Sequence, residues 1–436
     1  MRAERLGAGA SAAAVLRGLH ERARRLRLPP PAALTGEWFG SAAVLVPSVS
    51  LAPCAVNVAF TAAPEVAKAT FTTRGEGVGG GWIGYRGYPD GSGALPEAAG
   101  GGWTDCVLRL DNDGCWWFES LSGAPCPPEL TAVIAVGTAA SPWQLIWTVP
   151  DAAAHRDRVR HCLAAIVEGK VYQACVCTRF TGTLCGKGVH LFAAGIEADS
   201  PARAAYLTGR WGSIASFSPE LFLARHGRTV RSSPIKGTLP IERAPAVLRA
   251  CAKDVAENVM IVDLVRNDLG RVCLPGSISV PELLAVHAVP AVWHLVSTVE
   301  GVLRSDVTDT QLLDATFPPA SVTGTPKHRA RQLISDWETA PRGVYCGAIG
   351  MTSPVAGFEL NVAIRTVEID GHGSTALGVG GGITIDSEPE AEWQECLHKA
   401  AAITRLQARS ASDTVTSHRR PLSVNVASWL TRRSRA

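Results

Sequence analysis

Phe217-Ser218-Pro219-Glu220-Leu221-Phe222-Leu223, followed by Thr229-Val230-Arg231 and then Pro234-Ile235-Lys236-Gly237-Thr238, is the stretch on which the fold turns. Two β-prone runs flank His226-Gly227, so they read as an antiparallel hairpin. A two-residue turn sets Lys236 opposite Phe217. Glu220 then stands three residues along, roughly 10 Å at strand rise. Both side chains can reach one small molecule at the open end. Lys236 lies between Pro234-Ile235 and Gly237, a backbone suited to close approach of a ligand. For either residue alone, a surface lysine or a solvated glutamate is the plain alternative.

Outward from the hairpin, strands and helices mix. Helical signals run from Ala152 to Glu168, with Gly169 as the stop, and from about Lys253 to Asp268. A third helix is expected from about Pro389 to Ala408, with Ser387 and Glu390 as a capping box. Lys170 to Phe180 alternates as a strand with Gln173, Cys175 and Cys177 on one face. The first 30 residues read as a short strand and a basic helix. Residues 36–150, rich in Gly, Pro, Trp and β-branched types, read as antiparallel strands. The uncharged stretches Trp38 to Pro64 and Leu130 to Pro150 contain Pro47, Pro53, Gly137 and Pro142. They are therefore expected as buried strands and turns, not membrane spans.

The composition excludes several classes. Of 436 residues, 46% are hydrophobic, enough for a large core and too many for a disordered chain. A balance of 42 basic against 39 acidic residues argues against a nucleic-acid or membrane-surface protein. Twelve scattered cysteines without a C-x-x-C pair argue against zinc and against a disulfide framework. They suit a reducing, cytoplasmic compartment. Glu4 and Glu21 interrupt the basic start and no apolar core follows, so no secretory signal is expected. From Arg409 the chain is polar and Arg-rich, which reads as a mobile tail.

Several side chains could carry chemistry. Glu257 shares a helix face with Met260, Ile261 and Leu264, and a buried carboxylate must be paired, neutral or metal-bound. Glu392 and Glu395, three apart, either face water or share a cation. If the two helices met, their oxygens would suit Mg²⁺. The amides of Gly378-Val379-Gly380-Gly381-Gly382-Ile383 could cradle a carboxylate or phosphate. Arg365, between apolar neighbours, needs an anionic partner, structural or bound. His294 is either a core histidine or a catalyst. Asp263 and Arg266 look like a structural pair.

These stretches, together with Glu168-Gly-Lys-Val-Tyr-Gln173, Ala256-Glu-Asn-Val-Met-Ile-Val-Asp-Leu-Val-Arg-Asn-Asp268, His294-Leu-Val-Ser297, Thr323-Gly-Thr-Pro-Lys327, Arg342-Gly-Val-Tyr-Cys-Gly347 and Ile364-Arg-Thr366, resemble the chorismate-utilising enzymes. The resemblance is strong from about 152 to 408, and Lys236 points to the aminodeoxychorismate branch. It implies an α+β fold of two packed antiparallel β-sheets flanked by helices. Residues 1–150 would be a β-rich region, 151–408 the chorismate-binding catalytic region and 409–436 the tail, with both halves feeding one core. Glu257, Glu395 and, through water, Glu392 would hold Mg²⁺ against the ring carboxylate of chorismate. Arg365, Tyr345 and the amides of Gly380, Gly381 and Gly382 would take the other carboxylate, with Thr323 and Gln173 also lining the substrate pocket. Lys236 would attack C2 while Glu220 protonates the departing C4 hydroxyl, and His294 would be a further catalytic residue. Ammonia then displaces the lysine. Water-using branches carry a lysine where this chain has Gln173.

No G-x-C-x-G glutaminase elbow occurs, so the resemblance implies a separate glutamine amidotransferase subunit and a place in folate (p-aminobenzoate) synthesis. The chain departs from the family pattern at Ile241, where an arginine is usual, at Pro319-Ala320, where two glycines are usual, and at Thr325, where an alanine is usual. An anthranilate-forming subunit and a non-catalytic scaffold for a glutaminase are the rival expectations.

Overall fold

The computed structural model describes residues 1–60, 77–90, 98–289 and 292–406. The expected Arg-rich tail lies outside the described residues. Two antiparallel sheets form the body. The first runs, edge to edge, through Arg2–Ala8, Cys115–Ser120, Cys106–Leu110, Ser41–Val46, Ala32–Trp38, Arg203–Gly209, Gly212–Ser218, Thr366–Asp370, Ser374–Ile383, Gln173–Cys185 and Gly324–Thr325. The second runs through Ile235–Pro240, Val292–Val302, Thr229–Ser233, Leu221–His226, Gly357–Val362, Ala348–Ser353, Gly81–Arg86, Ala99–Thr104 and Ala52–Pro53. Strands from before and after residue 150 lie side by side in both.

Each face of this pair has a reason to be covered. Leu34, Val44, Val46, Ala205, Leu207 and Ile214 of the first sheet meet Ile83, Tyr85, Ile349 and Met351 of the second in one buried cluster. On the outer face of the first sheet, the helices Ala12–Leu26 and Gly188–Asp199 bury Leu16, Leu19, Leu191 and Phe192 against Leu45, Tyr206 and Phe217. The helix Ala252–Gly270 packs Ile261, Val262, Val265 and Leu269 into the cluster that holds Leu223, Val230 and Val299 of the second sheet. The central strands are buried on both faces, one against the partner sheet and one under the helices, which accounts for both partitions. No described helix is long and apolar enough to cross a membrane, and all twelve cysteines are free.

Three expectations are corrected here. The hairpin begins at Leu221, not Phe217: strand Leu221–His226 pairs with Thr229–Ser233, and the chain changes sheets between Ser218 and Leu221. Phe217 pairs with Ala204 in the first sheet, where its ring stacks on Phe192 at 5.7 Å. Lys236 instead belongs to a second-sheet strand that pairs with Val292–Val302. An aromatic ring with a helix to cover won over simple continuation of the strand. Between Leu130 and Pro150 the chain forms a helix, Pro128–Val136, before the strand Gln144–Thr148. Pro128 at its start and Gly137 at its stop fit a short helix. This region is also less buried than expected, with Val136 82% exposed and Ile146 60%. Finally, the helix Pro389–Thr404 has no capping box: the Ser387 hydroxyl accepts from the Thr384 amide, 3.1 Å away, and Glu388 is the cap residue.

Candidate active site

Two neighbouring crossovers between the sheets build the centre of the site. Ser218-Pro219-Glu220 carries the chain from the first sheet to the second. Ala363-Ile364-Arg365 carries it back. The crossovers hold each other: the Val362 amide donates to the Glu220 carbonyl at 3.0 Å, and the Phe217 amide to the Arg365 carbonyl at 3.0 Å. Arg365 has the left-handed φ of 51°, a backbone that non-glycine residues adopt only where surrounding contacts enforce it. Strand pairing thus delivers a carboxyl group and a guanidinium to one place. Neither is adjacent to the other in sequence.

Glu220 is 4% exposed. Burial pushes its carboxyl up to about 7, against the opposing pull of the neighbouring Ser321 hydroxyl and the Lys236 ammonium. Near neutral pH it can therefore hold and release a proton. The Arg365 guanidinium makes no hydrogen bond or ion pair among the described residues. Burial pulls its pKa down, and the carboxylates of Asp199 and Glu220 only partly offset this. A half-buried guanidinium in that state favours a bound anion.

Lys236 comes from the opposite sheet. The register between Ile235–Pro240 and Val292–Val302 shifts between Ile235 and Thr238, and Gly237 takes φ +89°. This bulge re-aims the Lys236 side chain toward the helix Ala252–Gly270. Its Nζ lies 3.7 Å from Glu257 Oε2. The same strand pair sets His294 beside Thr238, with Nδ1 3.0 Å from the Thr238 hydroxyl. His294 Nε2 is buried without a partner. Burial, with Arg365 nearby, pulls the imidazole down to about 4, so it is neutral at physiological pH.

The glycine strand Ser374–Ile383 forms the floor. It pairs with Gln173–Cys185, Gly380 opposite Cys177 and Gly382 opposite Cys175. A Cβ at Gly378 would strike the Tyr345 ring at 2.2 Å, and one at Gly380 the Cys177 sulfur at 2.6 Å. At Gly382 it would lie 2.2 Å from Gln173 Nε2 and 3.2 Å from Lys236 Nζ. At Gly381 it would meet Glu392 Oε2 at 3.1 Å and Glu395 Oε1 at 3.7 Å. The run is glycine because functional side chains press on it from both sides. Gln173 is buried, with its Oε1 unpartnered. Tyr345 is buried too, and its hydroxyl accepts from the Cys177 thiol at 3.7 Å.

The carboxylates Glu257, Glu392 and Glu395 do come together. Burial raises the Glu257 pKa, Lys236 and Lys253 oppose this, and the fields of Glu395 and Glu392 add to it. Each carboxylate leans on a lysine: Glu257 on Lys236, Glu392 on Lys253 at 2.7 Å, and Glu395 on Lys399 at 2.8 Å. Lys399 also donates to the Gly380 carbonyl at 2.7 Å, and its ammonium holds the Glu395 carboxyl down at about 2. As the side chains stand, no three His, Cys, Asp or Glu groups among the described residues surround a common point. The donor set is nevertheless of the chemistry that a hard divalent cation would take. Its members are mutually repelling carboxylates on two facing helices, and Glu392 Oε2 is buried with no partner.

Thr323 is placed differently from the other expected residues. Its hydroxyl donates back to the Pro319 and Ala320 carbonyls, each at 3.1 Å, inside its own turn. Lys253, Lys399 and Ser321 belong to the cluster although sequence reasoning passed over them. The two lysines stand four residues from Glu257 and Glu395, a spacing that could have flagged them. The expected Asp263–Arg266 pair is present at 2.8 Å on the surface. A cavity of about 990 Å³ lies elsewhere, along Met260, Leu264, Asn267, Arg271, Phe317 and Lys327.

Comparison with known proteins places this geometry. The sequence profile of the chorismate binding enzyme family matches residues 138–405. Over 254 residues the chain is 40% identical to aminodeoxychorismate synthase component 1 of Salmonella typhimurium, covering 57% of this chain and 56% of that protein. It is 35% identical over 297 residues to anthranilate synthase component 1 of Streptomyces coelicolor, covering 65% and 58%. The chain thus matches a little over half the length of these relatives. The anthranilate synthase component I structure from Streptococcus pneumoniae superposes with a TM-score of 0.67 at 24% identity, over 86% of this chain and 90% of that one. The menaquinone-specific isochorismate synthase from Escherichia coli gives 0.70 at 18% identity, over 93% and 94%. These structures share the fold of two antiparallel sheets with flanking helices. The chain belongs to the chorismate binding enzyme family.

Proposed function

We propose that this family member aminates chorismate at C4, giving 4-amino-4-deoxychorismate, as the synthase component of a two-part enzyme. The observation that carries this reading is Lys236. Its amine reaches the glycine strand beside Gln173, in the field of a buried carboxyl group that keeps its proton to about pH 7. A lysine in that place serves a covalent route. An anthranilate-forming site, where ammonia adds directly at C2, has no use for it.

Chorismate carries two carboxylates. Arg365 and the glycine-strand amides suit one of them. The other would face Glu257, Glu392 and Glu395, and Mg²⁺ held there supplies the positive charge that binds and orients it. The Lys236 amine adds to C2, the ring double bond shifts, and the C4–O bond breaks. Glu220 gives its proton to the departing oxygen, which leaves as water. Ammonia then adds at C4, the double bond shifts back, and the C2–N bond to Lys236 breaks. The proton shed by the new amine returns to Glu220. One ammonia enters and one water leaves. Gln173 and the neutral His294 offer unpartnered polar atoms that could orient the substrate hydroxyl without adding water to the ring.

The ammonia source is a glutamine amidotransferase subunit, and the product feeds p-aminobenzoate and folate synthesis in the cytoplasm. The test is direct: incubate the chain with chorismate, Mg²⁺ and excess ammonium salt, so that no partner is needed. An aminated ring that keeps its enolpyruvyl group supports the proposal. Anthranilate with pyruvate refutes it in favour of the anthranilate branch, and no turnover favours a scaffold role.

A further inference from the structure

The two helices that carry the three carboxylates are joined by one ion pair among the described residues, Lys253 to Glu392. Lys253 stands four residues before Glu257 on the helix Ala252–Gly270, so the two side chains share a face. Its Nζ lies 2.7 Å from Glu392 Oε1 on the helix Pro389–Thr404. The carboxylate it grips is 3% exposed. The second oxygen, Oε2, is buried without a partner and aimed at Gly381. Glu395, by contrast, is paired within its own helix by Lys399, and that pair joins no second element of the acidic cluster.

We propose that Lys253 is a resident counter-cation: it holds the two acidic helices together before a divalent ion binds, and the ion then binds against its charge. Without a cation, Glu257 and Glu392 repel across the gap between the helices, and Lys253 is the group placed to neutralise that repulsion from within. When a divalent ion enters between the same carboxylates, the ammonium becomes a like charge a few ångströms away. Lys253 therefore stabilises the metal-free fold and weakens metal binding. It touches neither substrate nor reacting atoms in this reading and is a positioning residue. The inference rests on the Mg²⁺ reading given above.

The full-length chain without substrate is the material for the test. Thermal melts and calorimetric titrations with Mg²⁺ alone compare the wild type, Lys253→Met and Lys253→Arg. The expected result for Lys253→Met is a lower melting temperature without Mg²⁺, a larger rise on adding Mg²⁺, and Mg²⁺ binding tighter by about tenfold or more. Lys253→Arg, which keeps the charge, should follow the wild type in both measurements and shows that the site still folds. An equal drop in melting temperature with and without Mg²⁺ would mark Lys253 as an ordinary structural pair and overturn the inference. Weaker Mg²⁺ binding in Lys253→Met would overturn it too, because the lysine would then be helping the ion. A wild type with no response to Mg²⁺ overturns the metal reading itself, and this inference with it.

Discussion

Glu220→Gln should make the protein more stable at alkaline pH while removing its activity. The Glu220 carboxyl has an ordinary pKa of 4.5 and is held at about 7 in the fold, chiefly by burial. The folded-state value lies above the unfolded one. Below about pH 4.5 both states hold the proton and the group has no effect on stability. Between 4.5 and 7 the unfolded chain loses its proton while the folded chain keeps it, so stability falls as pH rises. Above 7 the full penalty is present. A shift of this size corresponds to about 3 kcal/mol. Glutamine keeps the shape and cannot ionise, so the penalty disappears.

The measurement is a set of urea unfolding curves for wild type and variant between pH 5 and pH 8. The difference between the two proteins should change by about 2 to 3 kcal/mol across that range, in favour of the variant at the alkaline end. Any hydrogen bond that the amide makes differently is constant with pH and cancels in this comparison. Turnover should fall by about 10² to 10⁴ over the same range, the usual contribution of a positioned acid. Parallel stability profiles for the two proteins would refute the reasoning, because the carboxyl would then titrate normally in the fold.

Lys236→Ala should abolish aminodeoxychorismate formation while chorismate still binds; full activity in the ammonium assay would remove the covalent role. Arg365→Ala should raise KM for chorismate by roughly tenfold to a hundredfold, the worth of a lost charge-assisted, two-point contact, with a smaller effect on kcat. Gly382→Ala places a methyl group 2.2 Å from Gln173 Nε2 and 3.2 Å from Lys236 Nζ, both ends of flexible side chains. Its melting temperature should stay within a few degrees of wild type, while kcat drops by at least about tenfold because the lysine is displaced. Gly380→Ala meets the Val176 carbonyl at 2.6 Å as well as the Cys177 sulfur, so calorimetry should show a lower melting temperature, and an unchanged one would contradict the packing of the floor.

Much of the fold was legible from periodicity. The strand Gln173–Cys185, the helix Ala152–Val167 and the acidic helix Ala252–Gly270 lie close to where alternation and capping signals put them. Local pattern failed where a distant surface decided the outcome. Phe217 continues the alternation of Leu221 and Leu223, so the sequence reads as one strand. Its ring instead stacks on Phe192, on a helix that covers the first sheet, a contact the local pattern does not show, and the strand breaks at Pro219. The helix Pro128–Val136 was hidden in the same way, because Leu130 and Ile134 bury themselves at helical spacing against residues near the N-terminal helix.

That misread break is also where the site comes from. Had the hairpin run on from Phe217, Glu220 would have been a mid-strand residue about 10 Å from Lys236, and its burial would have had no cause. Because the chain changes sheets there, Glu220 falls at a crossover whose carbonyl is bonded to the returning crossover, and Arg365 comes with it. Lys236 reaches the same place through a bulge in a different strand pair, and Gly382 leaves room for its amine. Sequence spacing could name these residues one at a time, since each sits in an unusual local context. It could not bring them together, because what joins them is pairing between strands more than a hundred residues apart, as Glu220 with Val362 shows.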